Sequence, residues 1–260
     1  MILLYLGLSA YINLYAQYDS SAHAANFKKI NIVDEEFGLR ILDDSVIADN
    51  YYAYLTVDAD NKIVKYFSYD GDPDYCKCII SHYDEKGQLT SLIYRLEDFD
   101  KGLYGTISVK EPDKIQCSMI VRKEDPPSLD TIVAACHHFP DSAGQLPIKC
   151  FVHTDSILKH LTPHNIPLSA GIPVTIVSPD KGDKTYTNAN RTVVYEQPST
   201  DSNVIMELLA GYPVMITGIA GKEKIWNEEH NWYEVLFDYG KNNGYIFGAF
   251  LEPVEREIKE

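Results

Sequence analysis

The residues best suited to chemistry are a cysteine followed by two histidines, Cys136, His137 and His138. A thiol beside an imidazole is the pair that cysteine hydrolases use, and three later histidines offer further partners: His153, His160 and His164. A nucleophilic thiol needs a lowered pKa, which the N-terminus of a helix provides. The apolar spacing predicts instead a helix that ends near Cys136, within PPSLDTIVAACHHFP. We therefore predict no catalytic residues and no enzyme.

The cysteines also raise the question of a metal site. Cys76 and Cys78 enclose a single residue, whereas structural zinc sites use cysteine pairs with two to four intervening residues. On a strand these two thiols share one face with Ile80, and Cys117 is placed in the same way in IQCSMIV. The pattern leaves open whether they are core thiols or form one cross-strand disulfide. We predict no metal and no cofactor.

Charge narrows the choice of partners. The 260 residues carry a formal net charge of −15. Phosphates would be repelled, so we expect neither a nucleic acid nor an anionic membrane as a partner. We interpret the acidity as a source of solubility, and the sequence does not fix the oligomeric state.

The first 17 residues, MILLYLGLSAYINLYAQ, contain no charged side chain. This apolar run has the length of a signal-peptide core and is short for a membrane span. Its ending, Leu-Tyr-Ala-Gln, resembles signal ends in the Bacteroidetes. We predict a signal peptide at 1–17 and a secreted or periplasmic protein, without a lipid anchor because no cysteine follows the run. The missing basic segment leaves open a misplaced start or a buried first element.

Residues 51–123 alternate between apolar runs and polar breaks. Six runs rich in Tyr, Ile, Val and Thr are separated by short breaks of Asp, Gly, Pro or Asn. This pattern predicts an antiparallel meander without crossover helices. The stretch before it, INIVDEEFGLRILDDSV, is expected to add a hairpin. Residues 83–94 resemble the hairpin units of YD-type repeats. We interpret this likeness as the same way of forming a hairpin and not as homology.

Two short helices are predicted after the meander. The first ends near Cys136, and the second lies in HTDSILKHLTP with Asp155 as its N-cap. GIPVTIVSP then returns to a strand, and the polar segment 180–190 is expected to be a linker or a first loop. We therefore predict an N-terminal domain at 27–180, an antiparallel meander sheet with two short helices.

The last part of the chain carries an ordered series of short motifs. They occur in this order: Val193-Val194-Tyr195, Pro198-Ser199, Ser202, Leu208-x-x-Gly211-x-x-Val214, Asn231-Trp232-Tyr233-Glu234-Val235, Gly244-Tyr245-Ile246 and Leu251. Their combined spacing resembles the bacterial SH3-like (SH3b) domain from Arg191 to Val254. The resemblance implies a C-terminal SH3-like small β-barrel, predicted here at 190–254, and a chain that is mainly β.

The residues of this segment support the same architecture. Gly211 allows a tight reversal, Val214 and Ile216 are expected inside the barrel, and GKNNG is expected to form a hairpin turn. Both alternating faces of WYEVLF are apolar. At least one of its large rings must therefore lie near the surface or under a loop.

Two departures from the family pattern bear on the ligand. Tyr195 stands where the family commonly has an arginine, and the loop before Trp232 is lengthened and contains Trp226. By resemblance, SH3b domains bind cell-wall peptides or other extracellular peptides through an aromatic-lined groove. The candidate ligand-binding residues are therefore aromatic: Tyr195, Trp226, Trp232, Tyr233 and Tyr245.

We thus predict a non-catalytic secreted binding protein whose partner is a peptide, peptidoglycan or an envelope protein. Trp232 and Tyr245 could instead belong to the barrel core. Two other functions stay open, a structural or inhibitory interaction protein of the envelope and an accessory Cys/His cell-wall hydrolase that uses Cys136.

Overall fold

A computed structural model describes residues 27–35, 38–40, 51–72, 75–98, 103–111, 114–121, 154–161, 171–189, 191–225 and 227–258. These residues divide into two compact units, one within His23–Thr175 and continued from Glu257, the other within Ile176–Arg256. The paired strands of both units are antiparallel, which confirms the mainly β prediction. The predicted signal peptide and the predicted helix in PPSLDTIVAACHHFP lie outside the described residues. No helix within them is long and apolar enough to cross a membrane.

The described part of the chain contains sixteen strands, one α-helix and one 3-10 turn. In chain order they are β1 (Phe27–Glu35), β2 (Gly38–Arg40), β3 (Tyr51–Val57), β4 (Ile63–Asp72), β5 (Tyr75–Tyr83), β6 (Leu89–Asp98), β7 (Leu103–Glu111), β8 (Lys114–Val121), α1 (Thr154–Leu161), β9 (Ile172–Val177), β10 (Lys184–Tyr186), β11 (Thr192–Tyr195), β12 (Val204–Leu208), β13 (Pro213–Ile225), β14 (Glu228–Phe237), β15 (Asn242–Phe247), the 3-10 turn (Gly248–Phe250) and β16 (Val254–Glu257).

The larger sheet has its strands in the order β16-β9-β1-β3-β4-β5-β6-β7-β8, with β2 paired to β1. The six strands predicted between 51 and 123 are β3 to β8, each paired antiparallel with the next. The predicted preceding hairpin is formed by β1 and β2. The break DGDPD is narrower than predicted, because pairing between β4 and β5 continues to Asp72 and Tyr75.

Two hairpin turns of this sheet share one hydrogen-bond pattern. The carboxylates of Asp58 and Asp84 each accept the backbone N–H groups two and four residues later. The residue three positions on is left-handed in both turns, with φ 61° at Asn61 and 72° at Gly87. Asparagine and glycine tolerate this conformation best, so the polar breaks reverse the chain by the chemistry that their sequence predicts.

The helix α1 packs against the core of the larger sheet. Its Ile157 is fully buried beside Leu55, Tyr83 and Leu92. Asp155 lies in the first helical turn, where a carboxylate suits the helix dipole, and not at the N-cap as predicted. Of the two predicted helices, the second is present as α1. The segment of the first lies outside the described residues.

The smaller sheet has its strands in the order β10-β13-β14-β15-β11-β12. An isolated bridge between Thr187 and Leu251 adds to it. β10 lies within 180–190, the segment predicted as a linker or loop. This polar segment pairs with β13, and its side chains also form hydrogen bonds to distant backbone groups. The Thr185 hydroxyl, for example, donates to the Glu252 carbonyl at 2.5 Å.

The inner core of the smaller unit lies on one face of this sheet. Val214 and Ile216 are buried in it as predicted, and Gly211 adopts φ 76° at the predicted reversal. We call this face the inner face; its buried members are Val194, Leu208, Val214, Ile216, Tyr233, Val235, Phe237, Ile246 and Leu251.

The turn between β14 and β15 comes earlier than GKNNG predicts. Left-handed residues occur from Asp238 to Gly240, and β15 already begins at Asn242. The amide of Asn242 donates to the Asp238 carboxylate at 3.1 Å, which stabilises the turn at this position.

Candidate binding surface

β14 divides its side chains between two faces of the smaller sheet. Tyr233, Val235 and Phe237 belong to the inner face. Trp232 and Glu234 point the other way, because successive side chains of a strand alternate. Trp232 is therefore the large ring of WYEVLF that lies outside the inner core.

A second group of rings covers this other side of the sheet. Strand register places Trp232 opposite Phe247, and Tyr195 opposite Tyr245. The Trp232 ring centroid lies 5.4 Å from that of Phe247 and 5.5 Å from that of Tyr195, which it meets at 88°. Edge-to-face geometry of this kind favours a fixed arrangement of rings. We call this group the aromatic face; its members are Tyr195, Ile225, Trp232, Tyr245, Phe247, Ala249 and Phe250.

Trp232 is the buried centre of the aromatic face. Its side chain is 2% exposed, and its indole N–H donates to the Glu223 carboxylate at 2.5 Å. A buried indole N–H needs an acceptor, and a carboxylate is a strong one. Trp232 thus supports the surface from below instead of presenting its ring to a ligand.

Tyr195 and Tyr245 are the partly accessible tyrosines of the aromatic face. Both are half-buried, and they pair across the neighbouring strands β11 and β15. Burial raises the pKa of the Tyr195 phenol. At this position, where the family commonly has an arginine, the tyrosine packs its ring against Trp232.

The structure separates Tyr233 from the other candidate residues. It lies on the inner face with 2% exposure, and its hydroxyl accepts a hydrogen bond from the Asn231 amide at 3.3 Å. Burial raises the pKa of its phenol. The backbone leaves no room beside this ring, since a Cβ on Gly248 would lie 2.8 Å from a Tyr233 ring carbon. Tyr233 is a core side chain in this structure.

Trp226 lies outside the described residues. The described residues of GKEKIWNEEHNW, a segment predicted as a lengthened loop, instead form an antiparallel hairpin in which Ile225 pairs with Glu228. Asn227 adopts φ 71° between the strands, a conformation that asparagine tolerates. The loop prediction was wrong because charged residues here alternate across two strands, and Ile225 packs on the aromatic face.

Sequence reasoning missed three residues that shape this surface: Glu223, Glu234 and Phe247. Phe247 could have been found from strand alternation, because it follows Tyr245 by two positions on β15. Glu223 could not, because its contact with Trp232 depends on the register of β13 and β14.

The cysteines and histidines form no metal cluster in the described residues. Cys78 is fully buried in the larger sheet, in agreement with its predicted place in the core. The side chains of Cys76 and Cys117, and all of Cys136, His137 and His138, lie outside the description.

No curated protein and no solved structure was found to match the chain. One family model does match, over a segment that begins just before β11 and ends just before β16 and so contains Tyr195, Trp232 and Tyr245. Residues 190–252 match the model of the bacterial SH3 domain, which confirms the resemblance seen in the sequence motifs.

Proposed function

We propose that this is a non-catalytic binding protein whose C-terminal segment folds as a small SH3-like barrel and binds a peptide or a peptidoglycan component. One observation carries the proposal: Tyr195 and Tyr245 lie half-buried side by side, next to the buried ring of Trp232. The match to the bacterial SH3 domain supports it, since SH3b domains typically bind cell-wall material.

The fixed rings lower the entropic cost of binding a ligand. Tyrosine offers a large contact area and has few rotatable bonds, so ordering it costs little entropy. Here the edge-to-face contact with Trp232 already orders the Tyr195 ring before any ligand arrives. A preorganised surface loses less free energy on binding than a mobile one.

The sheet geometry supports the barrel part of the proposal. β13 carries register shifts between Ile216 and Gly218 and between Ile219 and Gly221. Bulges bend a strand and increase its twist, as a small closed barrel requires. The bridge between Thr187 and Leu251 brings further backbone into the same unit.

Cosedimentation tests the proposed function directly. The full-length protein is mixed with purified peptidoglycan sacculi and, as a control particle, with cellulose. We expect it to pellet with sacculi and to stay in solution with cellulose. Protein that remains in the supernatant in both mixtures would refute a wall-binding function.

A protein partner is the second candidate, and the exposed strand β12 favours it. β12 is the last strand in the order of the smaller sheet, and Val204 and Ile205 are 56% and 46% exposed. An apolar edge strand is suited to pairing with a strand of another protein. Strand pairing with a partner protein would fit a structural or inhibitory role in the envelope. In that case, crosslinking in cells from position 204 would capture a protein instead of wall fragments.

We further propose that the protein acts outside the cytoplasm and carries out no chemistry. The uncharged apolar segment at 1–17 and the predicted place of Cys136 at a helix end support this. Cell fractionation should recover the protein outside the cytoplasm. Sacculi incubated with the protein should release no soluble fragments, and fragment release that Cys136→Ala abolishes would contradict the proposal.

A further inference from the structure

The aromatic face carries acidic side chains beside its rings. On β14, Glu228 and Glu234 alternate in phase with Trp232, and Glu223 on β13 is opposite His230 on that same side. Lys222 and Lys224 fall on the other side of this hairpin, where Lys222 lies 3.7 Å from Glu229. The hairpin thus places both of its lysines on the side away from the rings, and Glu223, Glu228 and Glu234 on the side of the rings.

Cations on the same side of the sheet are at its margins. Arg191, just before β11, is already paired with Glu207 at 3.5 Å. Lys184 lies on β10, opposite Met215 and at the other end of the strand order from β12. The three carboxylates beside the rings are Glu223, Glu228 and Glu234. Among the described residues, no lysine or arginine is their cross-strand partner or forms an ion pair with them.

Glu234 is the carboxylate nearest the two tyrosines, and Trp232 separates it from Glu223 and Glu228. Glu234 pairs with Tyr245 on one side and with Gly218 on the other. The missing side chain of Gly218 makes room for it, since a Cβ there would lie 2.9 Å from a Glu234 carboxylate oxygen. A carboxylate is therefore located one strand spacing from Tyr245 and two from Tyr195, in the same cross-strand row.

His230 does not neutralise the carboxylates around it at neutral pH. Burial lowers the pKa of its imidazole, although Glu228 lies 3.7 Å away and Glu223 is opposite on β13. Burial also raises the pKa of Glu228. These two carboxylates extend the acidic character of the aromatic face beyond Trp232, and Glu234 supplies the carboxylate beside Tyr245.

We infer that the surface formed by Tyr195, Tyr245 and Glu234 binds a positively charged group, namely a primary ammonium of a wall peptide. Aromatic faces attract cations, and an adjacent carboxylate adds charge complementarity. This inference rests on the proposed function, which states only that the face binds a peptide or wall component. It excludes an anionic or fully neutral epitope.

The test compares untreated sacculi with sacculi whose free amines have been acetylated, using the full-length protein. We expect at least about fivefold weaker binding to the acetylated form, as the loss of one ion–aromatic contact implies. Equal binding to both forms would overturn the inference and leave the proposed function intact. Binding to neither form would overturn the proposed function and the inference together.

Two isosteric variants locate the effect. Glu234→Gln should reduce the preference for untreated sacculi, because it removes the charge beside Tyr245 and keeps the side-chain shape. Glu229→Gln is the matched control, since Glu229 lies on the other side of the hairpin beside Lys222. An unchanged preference in Glu234→Gln, or equal loss in both variants, would contradict the assignment of the cation to this surface.

Discussion

The two faces of the smaller sheet differ in burial, although residues adjacent in sequence contribute to both. On the inner face, Tyr233 and Ile246 are sealed in an apolar core. Their immediate neighbours in sequence, Trp232 and Phe247, lie on the aromatic face. There they pack beneath two half-buried tyrosines. The inner face holds the unit together, whereas the aromatic face combines a rigid base with a partly open edge.

The polar partners of the rings explain this difference. The indole N–H of Trp232 is bound by Glu223, and carboxylates recur along the same side. Carboxylates are rarely placed in a core, because burying them costs free energy unless they are paired. Rings bordered by carboxylates therefore suit a partly exposed surface, whereas the rings of the inner face pack in an apolar core.

The largest expected effect comes from truncating the inner face. Ile246→Ala should lower the free energy of unfolding by roughly 2–5 kcal/mol, because it removes a fully buried side chain and leaves a cavity. Urea unfolding followed by tryptophan fluorescence reports this unit, since both tryptophans of the chain, Trp226 and Trp232, lie in its sequence. Asn243→Ala, exposed on the same strand, should change the midpoint little. Equal effects of the two variants would contradict the assignment of the core.

Two glycines sharpen the comparison between the faces. On Gly244 a Cβ would lie 2.5 Å from Val194 and 2.9 Å from Ile205, so Gly244→Ala should cost about 1–3 kcal/mol through overpacking. On Gly218 a Cβ would meet only the mobile end of Glu234 within 3 Å. Gly218→Ala should therefore leave the unfolding midpoint nearly unchanged and weaken binding to sacculi. A larger loss of stability in Gly218→Ala than in Gly244→Ala would contradict this packing.

The hydrogen bond beneath the aromatic face should have a smaller effect. Glu223→Ala leaves the buried indole N–H of Trp232 without its acceptor, at a cost of about 1–2 kcal/mol. Glu223→Gln keeps an acceptor and should retain most of the stability. In a Trp226→Phe background, fluorescence of the single remaining tryptophan checks whether its surroundings change. Identical behaviour of the alanine and glutamine variants would show that this bond does not support the ring.

The smallest effect is a pH dependence from His230. Its pKa is below the ordinary value of 6.5 in the folded protein. As the pH falls through 6.5, the unfolded chain takes up a proton that the folded protein does not, so the free energy of unfolding decreases. Glu228 acts with the opposite sign at lower pH, because its raised pKa favours proton uptake by the folded protein. His230→Gln should flatten the urea midpoint between about pH 7.5 and 6, and an unchanged slope would exclude His230 as its source.

Strand pattern was the part of the fold that could be predicted from sequence. The runs that became β3 to β8 alternate with Asp and Gly turns, and such local chemistry fixes antiparallel hairpins. Polar segments were less predictable. Lys184–Tyr186 became a strand through bonds to residues far along the chain, as in the contact of Thr185 with Glu252, and no local pattern contains that information.

The candidate site was predictable only as a set of aromatic positions. Motif spacing identified Tyr195, Trp232 and Tyr245, which the structure brings together. It could not separate the two adjacent rings Trp232 and Tyr233, because both faces of that strand are apolar. The roles of Glu223 and Glu234 depend on cross-strand register, which is a property of the folded sheet.

The most direct test of the central claim is the affinity for sacculi of the full-length Tyr195→Ala/Tyr245→Ala variant. We expect at least about tenfold weaker binding than wild type, since the ligand contact of each half-buried ring is worth about 1 kcal/mol. Tyr239→Ala, which removes an 83% exposed ring outside the aromatic face, should bind as wild type does. A folded double variant that binds with wild-type affinity would contradict the account.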